Sequence, residues 1–330
     1  MNTKLALAAL GAAAVLMACS GGNPGADAAA NAAEVDPASL CVSSSCGVKT
    51  RLVAIPNAEN TLFTPDGRLF VSGGTNVYEV TKDAAGAFHA APLYAGTCNF
   101  TGMALRGSVL YVTCFDLRLY AADISQAKPA LKPIWNLTGM SAPNGVAQGP
   151  NSEVYIVDGP LSEHLPSPKI VRLEFDPADP MKVASQTKWL PSGLQFPNGL
   201  TIKGDTLYIT DATALPPVLT KILSVQIMPD GSPGPLQVVA SLDLGIPDDL
   251  TTVGSDVLVA LYSTGAVALI GPDGKVVAQT DPLSLDLPSS VKLGRPPMFA
   301  PTDLVITEKG LLDVAENSSF GNALSVFRRK

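Results

Sequence analysis

Residues 143–158 read PNGVAQGPNSEVYIVD and residues 197–211 read PNGLTIKGDTLYITD. Each has a proline, a polar residue, an alternating apolar stretch, a turn, and a β-rich run that ends in aspartate. That is the pattern of strand, turn, strand. Outward from this pair the same phrase returns, as Ala58-Glu59-Asn60 to Leu69-Phe70-Val71 and as Phe100-Thr101-Gly102 to Leu110-Tyr111-Val112. Two further copies are Pro247-Asp248-Asp249 to Val257-Leu258-Val259 and Pro301-Thr302-Asp303 to Leu311-Leu312-Asp313. The polar pivots fall at 59, 101, 144, 198, 248 and 302, at intervals of 42, 43, 54, 50 and 54 residues. Such intervals suit a four-stranded propeller blade with its loops. Six pivots predict an all-β, six-bladed β-propeller. Helical periodicity is scarce, and 28 prolines and 29 glycines punctuate short strands, which argues against an α/β fold. A β-sandwich would not explain one phrase returning six times. A ring of blades must also cover its two open edges. Val48 to Ile55 is expected to close it beside the last strands, near Leu324 to Arg328.

The chain start has a different character. Lys4 precedes an apolar run from Leu5 to Ala18. The run is about 14 residues, short of the roughly 20 that span a bilayer, so residues 1–18 read as a signal peptide. Leu16-Met17-Ala18-Cys19 resembles a lipobox, which implies cleavage before Cys19, acylation of its sulfur and attachment to a lipid bilayer. Ser20 in place of aspartate looks like an outer-membrane address. The expected location is therefore the cell envelope, at the outer membrane facing the periplasm or the surface. Residues 19–47 are expected to form a lipidated flexible tether, because the stretch that follows Cys19 has almost nothing large to bury. Residues 48–330 are then the propeller.

The chain is 46% hydrophobic and 15% charged, which suits one substantial core and a single folded domain. Its formal net charge is −7, with no basic cluster before Arg328-Arg329-Lys330, so no nucleic-acid partner is expected. With Cys19 assigned to lipid, four of the five cysteines remain. Export favours disulfides. Cys41 and Cys46 close a Val-Ser-Ser-Ser loop, while Cys98 and Cys114 flank a hairpin expected to turn at Arg106-Gly107. Zinc binding by these cysteines matches no ligand spacing, and His89 and His164 are the only histidines.

Propeller geometry brings the start of each innermost strand to the central channel, so the pivots converge. In chain order they read Glu, Thr, Asn, Asn, Asp, Thr. Two carboxylates and two amides are hard oxygen donors that suit Ca²⁺ or a similar divalent ion. Converging carboxylates in a channel repel unless a cation or proton relieves them. The competing reading of Pro-Asn-Gly is ordinary turn chemistry, since both Asn and Gly tolerate the left-handed conformation.

With these residues in order, residues 50 to 330 resemble the SMP-30/gluconolactonase family of six-bladed propellers, which includes sugar lactonases and relatives of the paraoxonases. The resemblance implies that Glu59, Asn144, Asn198 and Asp248 bind one divalent cation, with Asp248 also acting as general base. It implies hydrolysis of a lactone or ester through a metal-polarised carbonyl. Two departures are evident. The arginine that holds the sugar acid in gluconolactonases is replaced by Ala142, and Leu62 and Phe63 stand where a tryptophan often follows the glutamate. No Gly-x-Ser-x-Gly elbow is present, so a serine hydrolase is not expected.

Further candidates are Glu163 and His164, as a loop acid and base, and Asp158 and Asp211, as hydrogen-bonding residues inside their blades or supports for the asparagines. A second functional class is a non-enzymatic propeller that docks an envelope protein or glycan, with a structural ion or none. A third is a strictosidine-synthase-like condensing enzyme, for which Glu316 is the candidate acid.

Overall fold

The computed structural model describes residues 35–159, 168–213, 215–312 and 318–330. The signal peptide, Cys19, Glu163, His164 and Glu316 lie outside the described residues. Among the described residues no helix is long and apolar enough to cross a membrane.

The first strand is β1 (Gly47–Ala54). Blade one follows with β2 (Ala58–Phe63), β3 (Leu69–Gly73), β4 (Asn76–Lys82) and β5 (Phe88–Pro92). Blade two comprises β6 (Phe100–Arg106), β7 (Val109–Cys114), β8 (Arg118–Asp123) and β9 (Lys132–Asn136). Blade three has β10 (Pro143–Gln148), β11 (Val154–Asp158), β12 (Lys169–Asp176) and β13 (Asp179–Leu190). In blade four are β14 (Leu200–Lys203), β15 (Thr206–Ala212), β16 (Thr220–Gln226) and β17 (Gln237–Leu242). Blade five takes β18 (Pro247–Val253), β19 (Asp256–Leu261), β20 (Ala266–Ile270) and β21 (Val276–Gln279). The last strands are β22 (Pro288–Leu293), β23 (Leu304–Glu308) and β24 (Ala323–Arg329). Blade six has only these three consecutive strands, and β1 supplies its fourth, in the order β1-β24-β23-β22. The pairing is antiparallel, with Val48 opposite Arg328 and Thr50 opposite Val326. The expected closure is thus present, and it unites the two ends of the fold in one sheet.

The second strand of each blade reads as a nearly unbroken apolar run because it is covered on both faces. In β11, Val154 and Ile156 pack towards blade two, while Tyr155 and Val157 pack towards blade four. In β7, Tyr111 and Val109 face blade three, and Leu110 and Val112 face blade one. The same alternation divides β19, where Leu258 and Ala260 meet blade six and Val257 and Val259 meet blade four. The core is therefore six inter-blade layers, one for each pair of neighbouring blades.

Two sequence expectations need correction. The sixth pivot is not Thr302 but Ser289, in Pro288-Ser289-Ser290 at the start of β22. Pro301 to Asp303 instead form a turn: the Asp303 carboxylate accepts from the Ala300 N–H at 3.0 Å and from Arg328 Nε at 3.0 Å. Leu311 and Leu312, expected in a second strand, are exposed and outside any strand. The packed body also begins before Val48. Pro37–Ser39 make a 3-10 turn, and Leu40, Cys41 and Val42 are buried against Val253, Leu285 and Phe327. Residues 35–47, placed in the tether by composition, are thus partly core, anchored by the disulfide Cys41–Cys46 and by Arg329, which donates to the Ser39 carbonyl at 3.1 Å.

Ile156 is fully buried between blades two and three. Ile156→Ala is expected to lower stability by about 2–5 kcal/mol, read as a lower denaturant midpoint at an unchanged m-value.

Candidate functional site

The pivots are pressed together around the axis. A Cβ added at Gly102 would lie 2.4 Å from the Asn144 carbonyl oxygen, one at Gly145 2.5 Å from that of Asn198, and one at Gly199 2.6 Å from Asp249 Cα. None of the three glycines has a positive φ. Glycine in Pro-Asn-Gly therefore serves the close approach of the next blade, and the left-handed turn reading does not hold. In the other half of the ring the equivalent residues are Asn60, Asp249 and Ser290, which bond one another. Asp249 Oδ2 accepts from Asn60 Nδ2 at 3.0 Å, from Ser290 Oγ at 2.8 Å and from Lys292 Nζ at 2.7 Å.

Two devices on the second strands hold the pivots, each serving four of the six. A small hydroxyl bonds the pivot carbonyl of the next blade: Ser72 to Thr101 at 2.5 Å, Thr113 to Asn144 at 2.8 Å, Thr210 to Asp248, and Thr307 to Glu59 at 3.1 Å. The residue after that hydroxyl position, at the end of the strand, holds the chain three residues before its own blade's pivot. Asp158 Oδ1 accepts from the Ser141 and Ala142 N–H groups at 2.8 Å each. Asp211 accepts from Phe196 N–H at 2.5 Å and Gln195 N–H at 3.2 Å, and Glu308 accepts from Asp286 N–H at 2.6 Å. In blade two the same connection is the covalent bond between Cys98 and Cys114. The second expected disulfide is therefore present and has a positional meaning. Asp158 and Asp211 hold the entry to the asparagine strands, as hydrogen-bonding residues inside their blades. Cys98 and Cys114 approach Asp116, but sulfurs committed to a disulfide are not metal ligands.

The charges sit on one side of this ring. Glu59, Asn144 and Asp248 are 5%, 8% and 7% exposed, and Asn198 is half-buried. Lys309 Nζ bonds Glu59 Oε2, and its side chain is 15% exposed. Burial first, then the neighbouring charge of Glu59, raises the Asp248 carboxyl well above the usual carboxylate range, and Lys309 opposes that rise. Tyr262 completes the group: its hydroxyl donates to the Gly310 carbonyl at 2.8 Å, and burial raises its phenol. Among the described residues, neither the Asp248 carboxyl nor the Asn144 and Asn198 amides have a hydrogen-bond partner. These oxygen donors fit a hard divalent ion in kind, whereas Asp249 is committed to Lys292, Ser290 and Asn60.

The structure sets the four residues singled out for the ion at the pivots of four blades, with the charge of Glu59 acting on Asp248 and the Asn198 carbonyl accepting from the Gly145 N–H at 3.0 Å. It adds Lys309 and Tyr262, which follow directly after the second strands of blades six and five; the equivalent residues elsewhere are Gly74, Phe115, Gly159 and Ala212. The misplaced sixth phrase hid Lys309 by assigning it to the turn between two strands. Ile306-Thr307-Glu308, aligned with Ile209-Thr210-Asp211, is the sequence signal that marks it. Thr101 is spent on structure, its hydroxyl meeting Thr113 at 2.9 Å and the Pro143 carbonyl at 3.0 Å.

No protein-family model matches the chain, and no curated protein matches it in sequence. Solved structures do. A gluconolactonase from Xanthomonas campestris aligns with a TM-score of 0.63 at 17% identity, over 90% of this chain and 94% of its own. Regucalcin from Agrobacterium tumefaciens, a calcium-binding protein, aligns with a TM-score of 0.59 at 16% identity, over 83% and 90%. Virginiamycin B lyase from Staphylococcus aureus aligns with a TM-score of 0.53 at 11% identity, over 85% and 98%. At such identities the likeness establishes a shared fold.

The carboxylate clamps can be separated by charge. Burial raises Asp211 above its ordinary 3.8, against the pull of the Phe196 and Gln195 N–H groups. Its ionisation therefore weakens the fold as pH rises from 3.8 through the raised value. Asp211→Asn keeps an acceptor oxygen and is expected to be at least as stable as wild type at neutral pH, the difference closing below the ordinary carboxylate range. Asp211→Ala is expected to lose about 1–3 kcal/mol. Asp158→Asn is expected to lose about 3–5 kcal/mol, because Asp158 Oδ2 also neutralises the buried Lys169 at 2.5 Å. Thermal melts across pH check all three.

Proposed function

We propose that this chain hydrolyses lactones or carboxylic esters at the mouth of its axial channel, with one divalent cation, Ca²⁺ by the chemistry of its donors. One observation carries the reading: the buried carboxylates of Glu59 and Asp248 lie close enough for their charges to interact, and Asn144 and Asn198 hold the corresponding places of blades three and four. Glu59, Asn144, Asn198 and Asp248 would hold the ion. When bound, the ion supplies Lewis-acid polarisation of a carbonyl. Asp248 is the base of this proposal, because a carboxylate held beside the ion could take a proton from an attacking water. The Asp249 network and the hydroxyl bonds keep the ring from relaxing around its charges. The gluconolactonase likeness supports the same class of small-molecule chemistry, and the likeness to regucalcin, a calcium-binding protein, supports the choice of ion. Ala142 is buried, with its N–H held by Asp158, so the proposed substrate is a lactone or ester bound without a guanidinium clamp at that place.

The proposal extends to location. The apolar run to Ala18 and the Leu-Met-Ala-Cys sequence support an acylated Cys19 that holds the body at the cell envelope, and two disulfides suit an oxidising compartment.

Asp248→Ala is expected to lower turnover of aryl esters and simple lactones about a hundredfold or more while the protein stays folded, and a chelator is expected to abolish turnover in wild type. A chain that hydrolyses none of these substrates with Ca²⁺ present, yet captures an envelope protein or glycan, is a docking module. Cys19→Ser is expected to move the protein from the membrane fraction to the soluble fraction; retention in the membrane would end the lipid-anchor reading.

A further inference from the structure

We propose that Lys309 is a tethered cation that competes with the divalent ion for the axial site, so that loading the ion requires the Lys309 ammonium to leave Glu59. The inference rests on the reading that Glu59, Asn144, Asn198 and Asp248 hold such an ion.

The main chain at Lys309 is fixed while its side chain is long. The Lys309 N–H donates to the Leu287 carbonyl at 3.1 Å, its carbonyl accepts from Asn322 N–H at 3.4 Å, and Gly310 N–H donates to the Asp286 carbonyl at 3.0 Å. Gly310 has a φ of +77°, and a Cβ there would lie 2.7 Å from the Phe320 carbonyl oxygen, so the backbone beside Lys309 has one arrangement. Four methylenes separate that anchor from a compact ammonium. The head can therefore move without the blade.

The charges define two states. With Lys309 on Glu59 Oε2, that carboxylate is already paired with one cation. A divalent ion added with Lys309 still in place would turn the group net positive and set two cations on Glu59. With the ammonium swung away, the ion and the two carboxylates balance. Lys309 is alone in this respect, because the equivalent places carry Gly74, Phe115, Gly159, Ala212 and Tyr262. Glu59 is consequently compensated before any ion arrives, at the expense of affinity for that ion.

The test is calcium titration of the full-length wild type, Lys309→Met and Lys309→Arg, read by calorimetry and by the calcium-dependent rise in melting temperature. Lys309→Met is expected to bind Ca²⁺ at least tenfold more tightly than wild type and to gain the larger thermal shift, while Lys309→Arg stays as weak as wild type. In wild type, saturating Ca²⁺ is expected to increase acylation of Lys309 by an amine-reactive ester, measured on the Lys309 peptide by mass spectrometry. Equal affinity in all three proteins overturns the competition and leaves the metal reading standing. Should Lys309→Met fail to fold, calcium binding by wild type without any rise in Lys309 acylation overturns it equally. No calcium binding in any of the proteins overturns the metal reading and the competition with it.

Discussion

The fold depends on how closely neighbouring blades approach at the axis. Six sheets can share one ring of pivots only if the backbone of each lies against the next, and at Gly102, Gly145 and Gly199 there is no space for a side-chain carbon. The hydroxyls of Ser72, Thr113, Thr210 and Thr307 then join pivot carbonyls that would otherwise be buried without partners. Packing and polar pairing thereby place four distant residues in one ring. The same contact that closes the propeller positions the candidate site.

That ring is divided by chemistry. Blades two to four meet through glycine, and among the described residues the Asn144 and Asn198 amides have no hydrogen-bond partner. Blades five, six and one meet through Asp249, Ser290 and Asn60, whose mutual bonds hold Asp248 and Glu59 beside each other. Two buried carboxylates at such a place raise the free energy of the fold unless positive charge answers them. Lys309 answers one of them from the blade that β1 completes. Closure of the ring and compensation of its charge thus involve the same sheet, in which Glu308 also bonds Lys49 of β1 at 2.8 Å.

The second-strand ends have solved one problem by two chemistries. A carboxylate binds the incoming N–H groups in blades three, four and six, and a disulfide makes the corresponding link in blade two. A hydrogen-bonded clamp holds through electrostatics and depends on protonation, whereas a covalent one does not. Asp211 carries the cost of this choice, since its burial opposes the charge that its donors favour.

Sequence alone determined the fold class, the blade number, the closing strand and both disulfides, because strand alternation and the recurring pivot are local patterns. It misplaced the sixth pivot because Pro301-Thr302-Asp303 carries the same residue types as a true pivot, and turn and strand starts share that composition. Residues 35–47 also escaped it, since small residues look like a tether until Val253, Leu285 and Phe327 are seen to cover Leu40 and Val42. Tertiary structure decided why the glycines are glycine, which carboxylates are already paired, and that an ammonium from residue 309 reaches residue 59. Those are facts of distance between chain segments some 250 residues apart, and burial, which sets the strength of a charge, exists only once the segments have met.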